Sequence, residues 1–116
     1  MGDSLDGLRD ALRAFAADRE WERFHSPKNL ASALIVEAAE LLEPFQWLDE
    51  GASRRPDPET LEQVRGELAD VLLYLVRLAD VLGIDPIEAA RRKLAVNARR
   101  YPVEQARGNA RKSRLR

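Results

Sequence analysis

Three times along this chain a short capping residue, Ser or Asp, stands directly before a proline: Ser26-Pro27, Asp57-Pro58 and Asp85-Pro86. That order marks a helix start. The first side chain can accept a hydrogen bond from a first-turn backbone N–H, and Pro removes an N–H that would have no helical partner. Glu59 and Glu88 follow in the first turns, where negative charge meets the positive end of the helix dipole. Asp85-Pro86-Ile87-Glu88 also has the form of a capping box.

Apolar residues at spacings of three and four fill the intervals. Leu5, Leu8, Leu12, Phe15 and Ala16 predict a first helix over about residues 4–20. Leu30, Ala33, Leu34, Glu37, Leu41 and Phe45 share a face of a second, over about 27–48. Pro44 lies inside that pattern and should kink or end the helix nearby. Residues 48–57, with Gly51, Ser53 and Pro56, read as a loop. A third helix begins at Asp57, carries Leu61, Val64, Leu68, Val71, Leu72, Leu75, Leu78 and Leu82 on one face, and stops at Gly83. The fourth should run from Asp85 to about Arg100, ahead of Pro102. No segment alternates as a strand would. The expected fold is all-α, a four-helix bundle-like domain over residues 1–102, with a basic, aperiodic tail over 103–116 that is mobile or docked on a partner.

The bulk properties exclude several function classes. A net charge of −1 over 116 residues gives no global field for nucleic acid. The absence of Cys removes disulfides, thiolate chemistry and Cys-based zinc sites, and a single histidine, His25, rules out a His-rich metal site. No apolar run reaches the ~20 residues of a membrane span, and residues 1–10 carry acids unlike a secretory signal, so a cytoplasmic location is expected. A domain of this size buries a limited core, which makes oligomerisation a natural way to bury more.

Two of the expected helices carry the same element. Val36-Glu37-Ala38-Ala39-Glu40-Leu41-Leu42 is echoed by Gly66-Glu67-Leu68-Ala69-Asp70-Val71-Leu72. Acids three apart project from one helix face. Glu37 lies three residues after Leu34 and Glu67 three after Val64, so the acids border apolar seams. Uncompensated carboxylates there are costly, and no matching set of Arg or Lys is evident on the same seams. Spacing alone leaves two readings: solvated helix faces, or a shared site for a cation. An all-oxygen set without Cys would favour Mg²⁺ or Mn²⁺ over zinc.

In this pattern the chain resembles the all-α MazG-like nucleoside triphosphate pyrophosphohydrolases, most nearly the branch acting on dCTP. The resemblance rests on Glu37-x-x-Glu40 with Glu67-x-x-Asp70, on Trp21-Glu22-Arg23-Phe24-His25-Ser26-Pro27-Lys28-Asn29-Leu30, and on Phe45-Gln46-Trp47. It extends to Lys93, Asn97, Arg100, Tyr101 and Pro102, and to Val103 through Asn109. Lys28 stands where Arg is common in that family and lacks its bidentate geometry.

The resemblance implies Glu37, Glu40, Glu67 and Asp70 as Mg²⁺ ligands and catalytic groups. It implies Trp21, His25 and Trp47 around base and sugar, and Tyr74 near the sugar or its phosphate. Lys93, Asn97 and Arg100 or Tyr101 would hold phosphate oxygens. It further implies homo-oligomers, dimers pairing into tetramers, with pocket residues drawn from different chains. The expected reaction is hydrolysis of a nucleoside triphosphate, dCTP or a 5-modified relative, to the monophosphate and pyrophosphate. Two rivals stand beside it: the same fold acting on dUTP or non-standard purine triphosphates, and a non-enzymatic helical oligomer serving as an interaction module.

Overall fold

A computed structural model describes residues 4–113, and among these there is no β-strand. The order is α1 (Leu5–Asp18), a 3₁₀ turn (Glu22–Phe24), α2 (Pro27–Leu42), α3 (Glu50–Arg54), α4 (Pro58–Val81), α5 (Pro86–Arg100) and α6 (Val103–Ala106). The all-α expectation holds. The chain forms two compact units, Met1–Gly83 and Ile84–Arg116.

The caps read from the sequence are made. Ser26 Oγ accepts from the Asn29 N–H at 3.1 Å, and Asp57 Oδ1 from that of Thr60 at 2.7 Å. Asp85 Oδ1 accepts from Ile87 and Glu88 at 3.0 and 3.2 Å. Gly83 stands at φ 68° just past α4, the left-handed stop expected of it. Two expectations need correction. The second helix ends at Leu42, not near residue 48: Pro44 cannot donate to the Glu40 carbonyl, and the chain continues in turns through Trp47. Inside the expected loop lies α3, because Asp49 Oδ1 caps it from the Ala52 N–H at 2.8 Å. Beyond Pro102, α6 gives the start of the aperiodic tail one helical turn.

In the first unit α2 packs along α4, and α1 packs against α4. Ala16, Leu30, Val76 and Ala79 are its buried apolar residues. The stripe on α4 is wider than this core. Leu61, Leu68, Leu72 and Leu75 remain exposed, Leu68 by 56%, and so do Ile35, Val36 and Leu42 of α2. These side chains leave apolar surface of both helices open on the single chain.

The end of α1 positions an aromatic side chain. Glu20 takes a left-handed φ of 54°, where glycine is usual. The Trp21 N–H then donates to the Ala16 carbonyl at 2.9 Å and the Glu20 N–H to that of Ala17 at 3.1 Å. This is a Schellman closure, which folds Trp21 back over α1.

Among the described residues the longest helix, α4, has 24 residues, and no helix is long and apolar enough to cross a membrane.

Candidate functional site

The packing of α2 on α4 brings the repeated acids together. One carboxylate oxygen from each of Glu37, Glu67 and Asp70 lies within 4.8 Å of the others. Glu40 stands beside this trio: its carboxyl contacts those of Glu37 and Glu67 and its charge acts on both. The acid pairs therefore share a site rather than facing separate waters.

Its electrostatics are one-sided. The carboxyl contact with Glu40 pushes Glu37 above the usual glutamate range, followed by burial and the charges of Glu40, Asp70 and Glu67. Glu67 is raised as well, first by burial and then by the charges of Glu40 and Asp70. Oε2 of Glu37 and Oε2 of Glu67 are out of water and accept no hydrogen bond. A buried polar atom without a partner calls for a specific explanation. Two such oxygens on members of a cluster of like charge fit a hard divalent cation, which needs oxygen donors and neutralises several carboxylates at once.

A cavity of about 170 Å³ adjoins the acids in the same unit. Its walls include Leu12, Phe15 and Ala16 of α1, Trp21 and His25 of the connection, and Asp70, Tyr74 and Arg77 of α4. Phe15 and Trp21 meet edge to face at 5.7 Å between centroids, and Trp21 and His25 do so at 6.4 Å. The Arg19 guanidinium lies 3.6 Å from the centre of the Phe15 ring, holding that ring from outside. Asp70 belongs both to the acid trio and to this aromatic cavity, so a molecule in the cavity would have one end beside the carboxylates.

The sequence-predicted residues thus divide. Glu37, Glu40, Glu67 and Asp70 are brought together, and Trp21, His25 and Tyr74 line the cavity that shares Asp70. Trp47 is 89% exposed and lines no part of that cavity. Lys93, Asn97 and Arg100 lie on α5 in the second unit, with Tyr101 as its C-cap.

Sequence reasoning missed Arg77. Its Nε donates to His25 Nδ1 at 3.0 Å, and its Nη1 lies 3.4 Å from Asp80 Oδ2. The seams are therefore not without an arginine, but this one is engaged away from the acid trio. A signal did exist: Glu67, Asp70, Tyr74 and Arg77 run at spacings of three, four and three, a single helix face.

The profile of the MazG-like family matches residues 33–114. The chain is 41% identical to dCTP pyrophosphatase 1 of Homo sapiens over 111 residues, covering 94% of this chain and 65% of that protein. It is also 41% identical to the Bos taurus dCTP pyrophosphatase 1 over 109 residues, covering 92% of this chain and 64% of that one. The chain thus spans just under two thirds of the length of these curated relatives. Among solved structures, a pyrophosphatase from Archaeoglobus fulgidus superimposes with a TM-score of 0.75 at 46% identity, covering 84% of this chain and 91% of that one.

Proposed function

The chain belongs to the MazG-like family, and from that premise we propose that it is a Mg²⁺-dependent nucleoside triphosphate pyrophosphohydrolase whose substrate is dCTP or a 5-modified dCTP. The observation that carries this reading is the double membership of Asp70, in the acid trio and in the wall of the aromatic cavity. A nucleotide needs both: a flat apolar slot for the base and a cation site for the triphosphate. The relatives named dCTP pyrophosphatase 1 support the pyrimidine assignment.

Glu37, Glu67 and Asp70 would hold Mg²⁺, with Glu40 adjoining. Bound there, the cation supplies Lewis acidity toward phosphate oxygens and a template for the triphosphate. The protein's own share is positioning. Glu40, beside the trio rather than within it, orients the attacking water and takes up its proton. Trp21 and Phe15 pack on the base, and Tyr74, one turn after Asp70, faces the sugar. Lys93, Asn97, Arg100 and Tyr101 are assigned to phosphate oxygens. Pyrophosphate leaves after attack at the α-phosphorus.

The open apolar faces of α2 and α4 support assembly with further copies of the chain, dimers pairing into tetramers. Trp47, so exposed on one chain, would then reach the nucleotide of a partner subunit. Neither nucleic acid nor a membrane is a proposed partner, and the proposed location is the cytoplasm.

The test is a panel of dCTP, 5-methyl-dCTP, dUTP and non-standard purine triphosphates with Mg²⁺, scored for monophosphate and pyrophosphate. Fastest turnover of the cytosine nucleotides is expected. Preference for dUTP or a purine would keep the chemistry and replace the substrate. No turnover of any nucleotide would refute the enzyme reading.

A further inference from the structure

The cavity holds a polar network that the proposed chemistry does not use. His25, the chain's single histidine, accepts at Nδ1 from Arg77 Nε, 3.0 Å away. A guanidinium Nε carries one hydrogen and offers no acceptor. Nδ1 must therefore be bare, and the proton of the neutral ring sits on Nε2. Turning the ring over would set a ring C–H against the guanidinium N–H and leave a half-buried donor unpaired. Burial and the Arg77 charge both hold His25 below its ordinary value, so the ring is neutral near pH 7.

Arg77 is itself held in place. Asp80 accepts from Arg13 Nε at 2.7 Å and Arg13 Nη2 at 2.5 Å, and lies 3.4 Å from Arg77 Nη1. The Arg77 and Asp80 side chains are only 11% and 9% exposed. An ion pair serving stability alone is complete with Arg13 and Asp80. Arg77 extends it to a ring in the cavity wall.

We propose that Arg77, backed by Asp80 and Arg13, is a positioning residue that keeps His25 as an Nε2–H donor, so that the cavity selects a ligand presenting a hydrogen-bond acceptor such as a pyrimidine carbonyl oxygen. The identity of that ligand rests on the nucleotide reading above; the positioning of His25 does not.

One histidine gives one set of imidazole signals, so ¹⁵N NMR of the full chain reads the tautomer directly. The wild type should show an unprotonated Nδ1 and a protonated Nε2 at neutral pH. Arg77→Met leaves Asp80 paired with Arg13 and should give a mixture of tautomers, while Arg77→Lys, which keeps one donor, should restore much of the wild-type form. With dCTP, Arg77→Met should raise KM roughly two- to tenfold, the effect of one lost hydrogen bond, and change kcat less. A proton on Nδ1 in the wild type, or a tautomer unmoved by Arg77→Met, would overturn the positioning. A shifted tautomer with unchanged KM would overturn the ligand selection. If the wild type hydrolyses no nucleotide, the function proposed above fails, and the NMR comparison decides the positioning by itself.

Discussion

Two regions of α4, about three turns apart, treat charge in opposite ways. Near its middle, Glu67 and Asp70 meet Glu37 with Glu40 alongside, all of one sign, and two oxygens lie out of water with no donor. Farther along, Asp80 accepts from Arg13 with Arg77 beside it, and Arg77 donates to His25. In the first region like charge and burial raise carboxyl pKa values; in the second, hydrogen bonds from Arg13 hold Asp80 below its ordinary value. The same helix can evidently complete an ion network from its own chain. The incomplete one is therefore best read as complete only with a cation from solution.

The sharpest way to break this contrast is to neutralise one acid in each region. Glu67→Gln should lower the rate of pyrophosphate release by roughly 100-fold or more, since the cation's stabilisation of charge is lost, yet leave the cation-free protein at least as stable, because a repelling charge has gone. Activity assays and thermal melts in EDTA check the two halves. Asp80→Asn should do the reverse in stability, lowering the melting temperature by roughly 4–8 °C, because Arg13 and Arg77 lose their shared carboxylate; calorimetry reads it.

pH separates the regions further. Glu37 and Glu67 bind protons more tightly folded than unfolded, so without divalent cations stability should fall as pH rises from the ordinary glutamate value of 4.5 through their raised values. Asp80 has the opposite sign: its contribution is present above 3.8 and is lost as pH falls through its lowered value. Melting temperatures across pH in EDTA should show both limbs, and Glu67→Gln should flatten only the upper one. The smallest expected effect is that of Trp47→Ala. This side chain is 89% exposed, so the thermal stability of the single chain should move by no more than about 0.5 kcal/mol. A larger change accompanied by loss of assembly in sedimentation would place Trp47 in a subunit interface.

The legibility of these regions from sequence differs for a physical reason. Ser26, Asp57 and Asp85 act on N–H groups two or three residues away, so local order reveals them. The acid repeat is legible too, because a spacing of three on each of two helices sets faces that need only pack together. The Asp80 network is not: its bonds join residues 52 and 67 positions apart, and an arginine at a seam edge looks like any solvated arginine. Asp49 and α3 were hidden by Gly51, Ser53 and Pro56, whose loop preference outweighs one cap in a linear reading. The left-handed Glu20 that turns Trp21 toward the cavity leaves no trace in residue type, since glycine would be expected there.

Glu37, Glu67 and Asp70 would stay without a positive partner in the chain because a divalent cation belongs among them. Melting the wild type and Glu67→Gln at fixed pH over a range of Mg²⁺ concentrations tests it without any nucleotide. The wild-type midpoint should climb steadily with Mg²⁺ by binding linkage, and the climb should shrink or vanish in the variant. Equal slopes in the two proteins, or no slope in either, would contradict the account.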